Sequence, residues 1–368
     1  MANPPISAPS SKVAPILSVS VLIDTYNHER FIEKAIHSVL EQDFPAAERE
    51  IIVVDDGSTD RTPEIVQRFE PNLRYIRKEN GGQASAFNIG IPECRGEIIA
   101  FLDGDDWWTP GKLQAVGGVL AGDAKVGLVG HGIIEAFSNG ARRALAPEKD
   151  ERFTLDSVEA ARVFRLRKSY LGTSRMTLRA ELARRILPVP EALVIEADEY
   201  LFTIAAAMSE IVILRNTLTN YHIHGGNLYV AAGEGEAGLR RKYKVMEALA
   251  KALCATLSEK DTPAETVACI VELIQAEADQ LRLMLDGGTP WETVKTETTL
   301  YRILHGDAGM PQRIFRNATM VPAMILPPRW FYAARQWLGS HPQYHRVREK
   351  VLPVPKITHA AGPDEYKA

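Results

Sequence analysis

The sequence predicts an α/β protein with a mostly parallel sheet, helices on both faces, and a helical extension after it. Three observations predict it. Short apolar runs alternate with helical patterns from about residue 18 to 120. Three of those runs end abruptly in polar or acidic clusters. From about residue 235 the pattern changes to long amphipathic helices.

In order, residues 19–23 form a short apolar run and read as the first strand. Residues 29–40 place Phe31, Ile32, Ala35, Ile36 and Val39 on one side at helical spacing. Residues 51–54 are a second strand. Residues 63–69 are a helix with Pro63 in its first turn, where a missing N–H costs nothing. Residues 73–77 read as a third strand, 83–91 as a helix and 97–102 as the fourth strand. Further on the pattern is less regular. Strands are expected at 126–131 and 211–214, and a helix at 195–208. The apolar stripes of 240–257 and 264–285 predict bundle core.

Composition narrows the class. With 368 residues the chain suffices for one large domain with an appendage, or for two domains. Its 45% hydrophobic and 24% charged content is that of a globular protein. A net charge of -4 speaks against nucleic-acid binding. Cys94, Cys254 and Cys269 are too few and too scattered for a disulfide framework or a zinc site, so a cytoplasmic setting is expected. No apolar run is long enough to predict a membrane span. Residues 1–15, rich in Ala, Pro and Ser, read as a disordered lead-in and not as a signal peptide.

The chemistry gathers at strand ends. Asp24-Thr25-Tyr26-Asn27, Asp55-Asp56-Gly57-Ser58 and Asp103-Gly104-Asp105-Asp106 each follow a strand. In a parallel sheet these ends share one edge, so the clusters should converge on one crevice. Three carboxylates within four residues oppose one another's ionisation unless something positive neutralises them. Magnesium or manganese suits hard oxygen ligands and would do so. No glycine-rich loop follows the first strand, which excludes a dinucleotide-binding fingerprint and a Walker loop. Without such a loop, a cation on Asp103 and Asp105 would have to meet phosphate charge.

These segments, together with Asn80-Gly81-Gly82 and Asn88-Ile89-Gly90, resemble the family 2 glycosyltransferases in order and spacing. The resemblance is dense over about residues 17–115. It implies the GT-A nucleotide-diphospho-sugar transferase fold and an inverting mechanism. Residues 16–232 would form that domain, 233–309 a helical region and 310–368 a basic, aromatic C-terminal extension. It further implies that Thr25, Tyr26, Asn27, Asp56, Gly81, Gly82, Asn88, Asp103 and Gly104 bind the nucleotide-sugar. Asp105, with Asp103, would hold Mn2+ or Mg2+ against the donor diphosphate. UDP-sugars are the family's commonest donors, and a glycan or lipid-linked hydroxyl would be the acceptor, in cell-surface polysaccharide or glycoconjugate biosynthesis.

The family's general base belongs to an acidic pair opening a later helix. Here Ala197-Asp198-Glu199-Tyr200-Leu201 supplies it. Asp198 matches the expected position better and Glu199 is the alternative; Ala197 stands where a Glu is usual. His224, in Tyr221-His222-Ile223-His224-Gly225-Gly226-Asn227, resembles the histidine that closes over the diphosphate or metal. The Gln-x-x-Arg-Trp motif of processive members is absent, which implies single additions. One of Trp107 and Trp108 would be a platform for a sugar ring and the other core.

Residues 310–356 carry eight basic side chains against the single acid Glu349, interleaved with Trp330, Tyr332 and Trp337. This composition suits either peripheral contact with the inner face of a membrane bearing anionic lipid or a solvated basic helix packed on the acidic remainder of the chain. The alternative to an enzyme is a catalytically silent sugar-nucleotide-binding protein of the same fold. The intact acidic set argues against it.

Overall fold

Alternation of side chains along four apolar strands builds two cores, one on each face of the sheet. The computed structural model describes residues 16–224, 235–304 and 320–339. Strands β1 (Val19–Thr25), β2 (Arg49–Asp55), β3 (Arg74–Arg77) and β4 (Ile98–Asp103) are parallel, with β1 between β2 and β4. Leu22, Ile52 and Phe101 point to one face; Val21, Ile23, Val53 and Leu102 point to the other. Helix α1 (Ile32–Leu40) covers the second face through Ile32, Ala35, Ile36 and Val39. Helix α3 (Gln83–Glu93) covers the first through Ala84, Phe87 and Ile91. The short α2 (Thr62–Gln67) packs beside α1, and α4 (Lys112–Gly122) follows the acidic turn.

Register decides where the site lies. Asp24 is paired with Asp103 and Thr25 with Asp55, so the three acidic ends stop at one level.

The sheet continues through β5 (Trp107–Trp108), β6 (Val126–Phe137), β7 (Arg142–Leu145), β8 (Glu151–Phe153), β9 (Thr177–Arg179) and β10 (Glu210–Ile223). Its order is β3-β2-β1-β4-β9-β6-β10-β5, with β7 on β6 and β8 on β10. The parallel pairings, β6 with β10 among them, are the long ones; the inserted antiparallel strands are short. A strand of two or three residues is too short to show alternation, which is why β5, β8 and β9 leave no periodic trace in the sequence.

Helices α5 (Val158–Arg167), α6 (Ala180–Ile186) and α7 (Ala197–Met208) close the first face. Helices α8 (Gly235–Glu259) and α9 (Ala264–Asp286) follow, then α10 (Pro290–Leu304) and α11 (Pro328–Gly339). Val245, Leu249, Leu253, Val267, Ile270 and Ile274 join the same buried cluster as Leu22 and Phe101. The helical extension therefore shares a core with the sheet. Among the described residues no helix is long and apolar enough to cross a membrane. The lead-in at 1–15, the turn at Gly225–Asn227 and most of 310–368 lie outside the described residues.

Candidate active site

The crevice forms where β1, β2 and β4 end. Asp56 is buried, and its carboxylate accepts the backbone N–H groups of Gly81 (2.9 Å) and Gly82 (2.7 Å) and pairs with Lys78. It thus fixes the loop that opens α3. Gly82 has φ +85, and a Cβ there would stand 2.6 Å from the Val194 backbone, so only glycine fits. Asn27 is exposed beside the loop that follows β2, where its Oδ1 accepts the Thr59 N–H at 2.8 Å. Tyr26 is half-buried next to it. Asn88 stands apart from the crevice edge: its amide is bonded on both sides to the Val189 backbone, at 2.8 and 2.7 Å.

The acidic turn after β4 is tied to the end of β1. Gly104 donates its N–H to the Asp24 carbonyl at 2.9 Å. A Cβ on it would come within 2.6 Å of Thr25 Oγ1 and 2.7 Å of His28 Nδ1, so glycine lets β4 close against β1. Gly111 stands at the N-cap of the following helix, and Asp106 Oδ1 accepts the His222 N–H at 2.8 Å. Trp108 is the core member of the tryptophan pair, its Nε1 donating to the Ser174 carbonyl at 3.2 Å. Trp107 is half-buried, faces Lys34 and lies edge-on to His222.

Burial is the dominant electrostatic fact. It pushes Asp24 and Asp106 up to about 8, and Asp103 well above the ordinary carboxylate range; neighbouring carboxylates add to each. Asp105 goes the other way. Burial would raise it, but His28 and then His224 outweigh burial and hold it below its usual range. His224 Nε2 lies 3.1 Å, and His28 Nε2 3.9 Å, from Asp105 Oδ2.

A divalent cation fits this set. Asp24 Oδ1 and Asp106 Oδ2 are buried with no hydrogen bond among the described residues, and Asp105 already has two imidazoles beside one oxygen. Among the described residues no three such side chains form a complete metal cage. The protein would supply part of the coordination and the donor phosphates the rest, as magnesium sites commonly do.

Two consecutive residues tie the acidic turn after β4 to the start of α7. In a 3-10 turn at Thr173–Arg175, Ser174 Oγ donates to Asp103 Oδ2 at 3.1 Å. Thr173 donates its N–H (3.0 Å) and its hydroxyl (3.1 Å) to Asp198 Oδ2. Asp198 lies in the first turn of α7. Glu199 points elsewhere and is buried in a bidentate pair with Lys168 Nζ, at 2.8 and 3.0 Å.

Sequence reasoning named neither Thr173, Ser174, Lys78 nor His28 as site residues. Only His28 left a signal, standing directly after Thr25-Tyr26-Asn27.

Glu196 precedes α7 in a left-handed conformation, φ 61. Burial, then Glu199 and Asp198, push it from its ordinary 4.5 up to about 8. The unfolded chain releases this proton near 4.5 while the folded chain keeps it to about 8. Its stabilising contribution is therefore lost as pH rises across that window. Glu196→Gln should leave the melting temperature at pH 5 nearly unchanged and raise it by a few degrees at pH 8.5. Thermal melts at the two pH values check this, and an equal shift at both would refute it.

With this geometry in place, comparison with known proteins becomes informative. The sequence pattern described as glycosyl transferase family 2 matches residues 20–176. An uncharacterized glycosyltransferase of Nostoc sp. is 31% identical over 224 residues, covering 59% of this chain and 68% of that protein. The fold is similar to the Staphylococcus aureus TarS fragment 1–349 solved with UDP-GlcNAc, with TM-score 0.54, 21% identity, and 92% and 89% of the two chains covered. It is also similar to a Pyrobaculum calidifontis mannosyltransferase solved with GDP-Man and Mn2+, with TM-score 0.50, 18% identity, and 92% and 86% covered.

Proposed function

The chain belongs to glycosyl transferase family 2, and from that premise we propose an inverting, nonprocessive reaction. It moves one sugar from a nucleotide donor, a UDP-sugar, to a hydroxyl of a glycan or lipid-linked acceptor in cell-surface polysaccharide or glycoconjugate biosynthesis. The carrying observation is that Ser174 binds Asp103 while its neighbour Thr173 binds Asp198. The leaving-group side and the base are thereby braced by one turn.

Asp198 accepts the proton of the acceptor hydroxyl as that oxygen bonds to the anomeric carbon. The bond from that carbon to the phosphate oxygen breaks, and its electron pair leaves with the nucleoside diphosphate. Thr173 orients Asp198 for this. Asp105, with Asp103 and His224, would hold Mn2+ or Mg2+, which when bound offsets charge on the diphosphate. Thr25, Tyr26, Asn27, Asp56, Gly81, Gly82 and Gly104 would shape the nucleotide side. Asn88 would act there only by steadying the helix that follows Gly82. TarS and the mannosyltransferase, solved with UDP-GlcNAc and with GDP-Man and Mn2+, support a nucleotide-sugar donor and a divalent ion. We place the enzyme in the cytoplasm, at the inner membrane face.

A silent nucleotide-sugar binder would share the crevice but not need Asp198 braced beside it. Calorimetric titration with UDP, dTDP and GDP, each with Mn2+ and with EDTA, tests the donor and metal assignments. We expect UDP to bind at least tenfold more tightly with Mn2+. Equal affinity in EDTA would reject the cation site, and preference for another nucleotide would reject UDP.

A further inference from the structure

One buried lysine has no part in the reaction described so far. Lys112 opens α4 and is fully buried. A lysine at such depth is costly unless its head is held. Its Nζ donates to the Ser174 carbonyl at 2.8 Å and lies 3.8 Å from the centre of the Trp108 ring. Burial pushes its ammonium well below the usual lysine range, against the opposing pull of Asp106.

Two further donors reach the same oxygen. Thr219 Oγ1, on β10, donates to it at 2.6 Å, and Trp108 Nε1, on β5, at 3.2 Å. A carbonyl has two lone pairs, so these two already satisfy it. The bond from Lys112 is in excess of that need, and its effect is on where the carbonyl sits. Three elements, α4, β5 and β10, thus converge on one atom.

That atom belongs to the turn on which both carboxylates depend. Ser174 Oγ accepts the Asp103 N–H at 3.0 Å and donates to Asp103 Oδ2 at 3.1 Å. Thr173 holds Asp198. Gln83 donates to Thr173 Oγ1 and accepts the Ala197 N–H, each at 3.0 Å, which links the turn again to the start of α7. A shift of the Ser174 carbonyl is therefore passed to Asp103 and Asp198 together.

We propose that Lys112 is a positioning residue for sugar transfer: by holding the Ser174 carbonyl it fixes the turn that aligns Asp198 with the acceptor hydroxyl. The inference rests on Asp198 as the base. Lys112 touches no substrate and acts on alignment alone, to which rates respond steeply; a misplacement of about 1 Å can cost about a hundredfold.

Lys112→Met removes the donor and leaves an unbranched side chain that is at home in an apolar interior. It should lower kcat by about ten- to a hundredfold, with UDP affinity within about threefold of wild type and the melting temperature preserved. Thr219→Val removes a second donor from the same oxygen and should lower kcat by at least about threefold. The double variant should lose less than the product of the two, because both act through one carbonyl. If Lys112→Met does not fold, Thr219→Val decides, and a normal kcat there overturns the proposal. So does a folded Lys112→Met with normal kcat, a fall in UDP affinity equal to the fall in rate, or a double variant that matches the product. Asp198→Asn, assayed alongside, separates the two readings. Normal transfer by it rejects the base and this role with it; impaired transfer by it beside a normal Lys112→Met rejects the role of the lysine alone.

Discussion

Asp105→Ala is expected to lower sugar transfer by on the order of a thousandfold and to remove the Mn2+ dependence of nucleotide binding. Asp105 is the acidic side chain that two imidazoles face. Its Oδ2 faces His224 Nε2 at 3.1 Å and His28 Nε2 at 3.9 Å. Burial disfavours protonation of His28, and Asp105 is the main group opposing that. Burial raises Asp24, Asp103 and Asp106, whereas Asp105 is lowered. Removing it leaves two imidazoles facing a pit of raised carboxylates, which is a poor site for a divalent ion. Initial rates with saturating donor, together with titrations in Mn2+ and EDTA, measure both effects. A variant with transfer within tenfold of wild type would end the assignment of Asp105.

The acidic edge could be read from the sequence because parallel strands convert sequence order into a common level. Three runs ending in Asp24, Asp55 and Asp103 needed only correct strand assignment to place those residues together, and the register confirms that placement. The same logic could not reach Thr173 and Ser174. Their turn spans three residues, carries no periodicity, and acquires its role only by contact across the sheet. The partners of Asp56 were hidden for a similar reason. Gly81 and Gly82 could be named, but that their N–H groups turn toward Asp56 follows from the loop and not from composition. Trp107 and Trp108 were indistinguishable by type; the antiparallel pairing of β5 with β10 sends one inward and the other toward Lys34. The long helices were legible in position because burial is periodic. That α8 and α9 complete the core of the sheet is a tertiary fact with no local signature.

Asp198→Asn should lower the turnover number by about 10²- to 10⁴-fold while leaving UDP affinity within about twofold of wild type. Asparagine keeps an oxygen for the N–H and hydroxyl of Thr173, so the turn that also holds Ser174 against Asp103 should survive. What is lost is the capacity to accept the acceptor's proton. Glu199→Gln is the discriminating control. Glu199 neutralises Lys168 through two hydrogen bonds, and burial leaves that pair little access to water. Breaking its charge balance should cost on the order of 1–3 kcal/mol of stability and reduce the rate less than tenfold. If Asp198→Asn retains transfer and Glu199→Gln abolishes it with the fold intact, the base is Glu199 and the Thr173 contact is structural. If both variants turn over normally, neither carboxylate takes the proton. The expected split, with rate lost at Asp198 and stability lost at Glu199, follows from their surroundings: Asp198 is held at the turn that also binds Asp103, and Glu199 is already occupied by a lysine.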